Sequence, residues 1–86
     1  MKNSKIIDEK LMEIMRAVLD VDKDCDFSVI RRLNEQRWDS LAHVSLVVAI
    51  ENEFAVKLEI AEMERMTSFV AIRVLLKGKI DELQGV

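Results

Sequence analysis

The chain has 86 residues, of which 50% are hydrophobic and 34% are charged, and its formal net charge at pH 7 is −3. A chain of this length has room for one small domain with a single hydrophobic core. Its hydrophobic content excludes a disordered chain, and its acidic balance gives no general attraction to nucleic acid or to anionic lipid.

Residue usage favours helices along the whole chain. The sequence has no proline and only two glycines, Gly78 and Gly85, which predicts an all-α fold. Cys25 is the single cysteine, so the chain forms no internal disulfide. The first ten residues lack the apolar core of a secretion signal, and no apolar run is long enough to cross a bilayer. We therefore expect a cytoplasmic protein with no membrane span.

The first predicted helix starts near Ser4, which is an acceptable N-cap residue, and ends around Asp20. Apolar residues recur along it at helical spacing, while charged residues fall on the other side. The apolar residues are Ile7, Leu11, Ile14, Met15, Val18 and Leu19.

A long connection should follow this helix. Four aspartates lie between positions 20 and 26, and short acidic side chains favour loops over helix interiors. They alternate as in a calcium loop, but the required glycine and the final glutamate are missing, which favours a solvated acidic loop. The apolar residues that follow should pack in part into the core on a short helical turn. These residues are Phe27, Val29, Ile30 and Leu33.

The most apolar segment predicts a second helix from Ser40 or Leu41 to Phe54. The residues expected on its broad apolar face are Leu41, Val44, Val47, Val48 and Phe54. A short helix is expected over residues 61–66.

A last helix should begin after a cap at Thr67 or Ser68 and end near Lys77. Its inward residues are expected to be Phe69, Ile72, Leu75 and Leu76. Gly78 then begins a flexible tail, 78–86, that is frayed or forms one extra turn. Three longer helices and one short helix predict a small four-helix bundle that forms a single domain over residues 1–86.

Asp39, Ser40 and Leu41 join the long connection to the second helix, so the Ser40 hydroxyl should be accessible at a helix N-terminus. A helix N-terminus presents unpaired N–H groups and a partial positive charge, which favour a phosphate bonded there. The alternative is that Ser40 or Asp39 only caps the helix.

The stretch from Trp38 to Phe54, WDSLAHVSLVVAIENEF, resembles the attachment motif and second helix of acyl carrier proteins. The resemblance continues through AVKL at 55–58 and MTSF at 66–69, and with the helix order it covers nearly the whole chain. It implies a four-helix fold in which Ser40 carries a 4'-phosphopantetheine arm taken from coenzyme A, making the chain a phosphoprotein. It also implies that Asp39 and Leu41 contact the phosphopantetheinyl transferase.

Such a carrier holds acyl or aminoacyl groups as thioesters on the arm and is not itself an enzyme. The partners implied are the transferase and the loading and synthase enzymes, and we expect a monomer that binds no nucleic acid. The acids Asp39, Glu51 and Glu53 would steer it toward basic surfaces, with plain solvation as the alternative. Val44 and Val48 could contact the transferase or the cargo, but core positions are the preferred interpretation.

Fatty acid synthesis carriers commonly have acids where this chain has Ala42 and Ser45. This departure favours a discrete carrier of a specialised pathway, such as polyketide, peptide or surface-glycan biosynthesis. A housekeeping fatty acid carrier and a non-catalytic helical interaction module are the alternatives.

Three other constellations carry less weight. Cys25 and His43 could form a nucleophile and base, but a small bundle offers no deep pocket, and His43 is expected at the surface beside the arm. One cysteine and one histidine are also too few for a zinc site. Arg31, Arg32 and Arg37 raise the possibility of a helix-turn-helix nucleic-acid binder, which the net negative charge opposes.

Overall fold

The computed structural model describes residues 2–22 and 24–84, and the side chains of 5–22 and 24–81. Four α-helices make up most of it: α1 is Lys2–Leu19, α2 is Ser40–Phe54, α3 is Ile60–Glu64 and α4 is Phe69–Gln84. Two 3-10 turns, Phe27–Val29 and Arg32–Asn34, lie in the connection between α1 and α2. The described residues contain no strand, and the all-α, four-helix fold predicted from the sequence is confirmed.

Two predicted helix ends are wrong. α1 begins at Lys2, so Ser4 lies inside the helix instead of capping it. α4 continues through Gly78 to Gln84 and does not end near Lys77. Glycine in a helix interior costs about 1 kcal/mol relative to alanine, but Ile80 packs against the core beyond it and offsets this cost. Of the predicted tail, Gly85 and Val86 lie outside the described residues.

A single core cluster takes its buried helical residues from α1, α2 and α4, and Met63 of α3 packs against it while partly buried. α1 packs against both α2 and α4, and the first 3-10 turn packs against α4. Each large aliphatic side chain buried there contributes about 1.5–3 kcal/mol. The most deeply buried side chains are Leu11, Met15, Leu19, Leu46, Ile50, Met66, Ile72 and Leu76.

The long connection is packed against the bundle, as expected. Phe27 and Ile30 are buried, and the Phe27 ring lies 5.3 Å from the Phe69 ring, centroid to centroid. The Phe69 amide donates a hydrogen bond to the Ile30 carbonyl at 3.1 Å, which ties the connection to the start of α4. Val29 and Leu33 remain exposed, so two of the four apolar residues expected to pack there enter the core.

The predicted inward face of α2 is largely wrong. Leu41, Val44 and Val48 are 77%, 59% and 50% exposed, whereas Val47 is buried and Phe54 packs half-buried against the core, as expected. The buried face of α2 consists of Ala42, Leu46, Val47 and Ile50. Because α2 is apolar nearly all round, periodicity could not decide which side meets α1, and packing in three dimensions decided it.

Candidate functional site at the N-terminus of α2

Asp39 caps α2 and leaves Ser40 outside the cap. The Ala42 amide donates to Asp39 Oδ1 at 2.9 Å, and the His43 amide donates to the Asp39 carbonyl at 2.9 Å. Ser40 is the first helical residue and its side chain is exposed, with no hydrogen bond to any described residue. Of the two capping residues considered from the sequence, Asp39 has this role, and the Ser40 hydroxyl is accessible.

Two backbone donors accompany that hydroxyl. The amides of Ser40 and Leu41 have no hydrogen-bond acceptor among the described residues. Unpaired N–H groups in the first turn carry the partial positive charge of the helix dipole. An anionic group bonded to Ser40 Oγ would therefore lie where the backbone favours negative charge.

Trp38 anchors the segment just before Ser40. Its side chain is only 2% exposed, and its indole Nε1–H donates to His43 Nδ1 at 3.0 Å. His43 Nε2 lies 3.0 Å from the Met63 carbonyl oxygen, so the neutral tautomer with hydrogen on Nε2 satisfies both contacts. His43 is thus half-buried and joins α2 to α3, which corrects the expectation of a surface residue.

The three acids expected to steer partners all have protein partners. Asp39 caps α2, and Glu51 accepts a hydrogen bond from the Leu58 amide at 2.8 Å. Glu53 pairs with Lys10 Nζ at 2.8 Å, a contact that raises the pKa of Lys10. Asp39 and Glu51 keep their negative charge, because their partners are neutral amides, whereas Lys10 offsets the charge of Glu53.

An apolar surface lies next to Ser40 instead. Leu41, Val44 and Val48 form a stripe along the exposed side of α2, here called the apolar stripe. Their spacing of three and four residues places them on one helix face. The sequence contained this signal, but the same spacing also fits a core face.

Two clefts open beside the N-terminus of α2. One, of about 640 Å³, lies between the end of α1 and the start of α2 and includes Asp39, Leu41 and Ser45 in its wall. Arg37 also lines it, but its guanidinium is engaged by Glu35 at 2.9 Å and by the Asp20 carbonyl at 2.8 Å. The other cleft, of about 570 Å³, is lined by Arg31, Arg32, Leu33, Trp38 and Thr67.

The Cys25–His43 pair does not form a catalytic dyad in this arrangement. Both ring nitrogens of His43 have partners, in Trp38 and Met63. Burial, followed by the charges of Asp22 and Asp26, raises the pKa of the Cys25 thiol, which disfavours the nucleophilic thiolate.

Two further features, a metal site and a membrane-spanning helix, are absent from the described part of the chain. No group of three His, Cys, Asp or Glu side chains there could hold a metal ion together, at the acidic loop or elsewhere. None of the helices described combines the length and apolar character needed to cross a bilayer.

Comparisons with protein-family models, with curated proteins and with solved structures found no match for this chain.

Proposed function

We propose that this chain is a carrier protein that bears 4'-phosphopantetheine on Ser40 and holds acyl or aminoacyl groups as thioesters on that arm. The observation that carries the proposal is the division of roles at the start of α2, where Asp39 caps the helix and the Ser40 hydroxyl stays exposed. A serine needed only as a cap would itself accept the amide hydrogen bond.

The chemistry of the arm suits this position. Its phosphodiester would lie beside the unpaired amides of Ser40 and Leu41, where a helix N-terminus stabilises negative charge. The tether would bring one thioester to several active sites at a raised effective concentration. The chain's own residues would position the arm and present it, while partner enzymes supply the reactions.

The surface around Ser40 suggests how those partners dock. The apolar stripe begins at Leu41, directly after the modified residue, and the nearby acids are engaged within the protein. A transferase would therefore meet an apolar surface at Leu41, while Asp39 acts mainly by holding the helix end. This differs from recognition by an acidic helix and fits a discrete carrier of a specialised pathway better than a housekeeping fatty acid carrier.

The test is the intact mass of the folded protein after incubation with coenzyme A, magnesium and a broad-specificity phosphopantetheinyl transferase. We expect one phosphopantetheine adduct, which peptide mapping places on Ser40. Ser40→Ala should keep its helical circular dichroism spectrum and lose the adduct. Ser45→Ala, a matched change at another exposed serine of α2, should keep it.

An adduct that survives Ser40→Ala, or its absence from folded wild-type protein, would contradict the proposal. The second outcome would favour a helical interaction module that binds a partner through the apolar stripe, since exposed apolar side chains on one helix face suit a helix-in-groove complex. Such a module would bind its partner equally well with Ser40 replaced by alanine.

A further inference from the structure

The cleft lined by Arg31, Arg32, Leu33, Trp38 and Thr67, here called the arginine cleft, combines cationic, apolar and hydroxyl groups. It has a volume of about 570 Å³ and is more open to solvent than enclosed. Arg31 and Leu33 are exposed at its rim, and the indole of Trp38 is buried. The cleft therefore offers a ligand the charge of its arginines and the apolar surface of Leu33.

The guanidinium groups of Arg31 and Arg32 are not paired with carboxylates of the described residues. Arg37 and Arg73, in contrast, have carboxylate partners at 2.9 and 3.0 Å. A guanidinium group presents a planar fork of donors that matches a carboxylate. Two such groups on one turn favour an anionic ligand, although the whole chain carries a net charge of −3.

The turn that carries these side chains is held in place. The Arg31 amide donates to Asn34 Oδ1 at 3.0 Å, and the Arg32 amide donates to the Thr67 carbonyl at 2.8 Å. Leu33 sits on this fixed turn with 99% of its surface exposed. A ligand with methylene groups would remove that apolar surface from water without having to order the turn first.

The arginine cleft lies within reach of Ser40. Trp38 is two positions before Ser40, so their Cα atoms are at most about 7 Å apart. An arm bonded to Ser40 would start close to this wall of the cleft, and its distal end would reach the cleft by folding back along the surface. Cargo on the arm is a more direct source of ligand than a separate molecule, because tethering raises its local concentration.

We infer that the arginine cleft receives the distal end of a carboxylate-bearing acyl cargo, with its carboxylate at Arg31 and Arg32 and its methylene groups against Leu33. This inference rests on the proposed function, because the cargo must be tethered to Ser40. It names the substrate class of the carrier: acyl groups derived from dicarboxylic acids.

The experiment compares three forms of ¹⁵N-labelled protein, made by the same transferase from coenzyme A, succinyl-coenzyme A and butyryl-coenzyme A. Intact mass first establishes that each adduct is on Ser40, which tests the proposed function separately. The succinyl form should then shift the amide signals of Arg31 and Arg32 and the indole signal of Trp38 relative to both other forms. The butyryl group has the same number of carbons and no carboxylate, so it is the matched control for charge.

The double variant Arg31→Gln/Arg32→Gln should lose these shifts while still accepting the adduct. Arg65→Gln removes another exposed arginine and should keep them. Equal shifts with succinyl and butyryl cargo would overturn the inference. The inference would also be overturned if the same signals shifted between the unmodified protein and the free-thiol form. That result would assign the anion site to the phosphodiester of the arm.

Discussion

The Trp38 indole donates a hydrogen bond to His43 Nδ1 at 3.0 Å, and this contact fixes the residues on either side of Ser40 relative to each other. The two ring planes are inclined by only 25°, with a centroid separation of 6.2 Å, as an edge-to-edge hydrogen bond between rings requires. Because His43 in turn contacts the Met63 carbonyl, the end of α3 is tied to the same point. Ser40 is therefore presented by a structured surface.

Replacing His43 with alanine should destabilise the protein by about 1–3 kcal/mol, because the buried indole N–H would lose its acceptor. Urea unfolding followed by Trp38 fluorescence measures this change directly. Val44→Ala alters the next residue of α2 at an exposed position and should change the free energy of unfolding by less than about 0.5 kcal/mol. Equal effects of the two substitutions would show that the Trp38–His43 contact contributes nothing.

Asp39→Ala should cost about 1 kcal/mol of stability, since it removes the acceptor for the Ala42 amide at the start of α2. Asp39→Asn keeps a side-chain oxygen at the same place and should retain most of the capping effect. Denaturant unfolding of the two variants compares them. If the asparagine variant is as unstable as the alanine variant, the negative charge of Asp39 matters and not its capping geometry.

The sequence predicted the ends of α2 better than it predicted which of its side chains are exposed. The start of α2 at Ser40 and its end at Phe54 were predicted correctly, because the capping residue and the apolar run both mark them. The exposure of Val44 and Val48 was not predictable from periodicity, since α2 is apolar on several sides. The role of His43 was missed because its two partners lie five and twenty positions away, and no local pattern indicates such contacts.

The pair Glu62 and Lys79 should make stability depend on pH. The Glu59 amide and then Lys79 Nζ, which lies 2.8 Å from Glu62 Oε1, lower the pKa of Glu62 below its ordinary value. A carboxyl with a lower pKa in the folded state stabilises the protein above its unfolded pKa. That contribution is lost as the pH falls through the folded pKa.

Glu62→Gln should therefore lower the melting temperature at neutral pH, and its difference from wild type should shrink at acidic pH. Glu64→Gln, at a neighbouring exposed carboxylate with no ion pair among the described residues, serves as the control and should show little difference at either pH. Thermal unfolding followed by circular dichroism across an acidic pH series measures both variants. A Glu62→Gln difference that stays constant with pH would contradict the assignment.

A substitution at Leu41 can test the proposed recognition by the transferase without changing the stability of the fold, which a substitution in the core of α2 cannot do. Because its side chain is 77% exposed, Leu41→Ala should change the free energy of unfolding by less than about 0.5 kcal/mol. Leu46→Ala, in the fully buried part of the same helix, should cost about 2–5 kcal/mol. If the transferase docks on the apolar stripe, Leu41→Ala should slow phosphopantetheine attachment at Ser40 several-fold, mainly through a higher KM for the carrier, and raised salt should change the wild-type rate little. An unchanged KM together with a strong salt dependence would instead indicate that the transferase recognises charged residues outside the stripe.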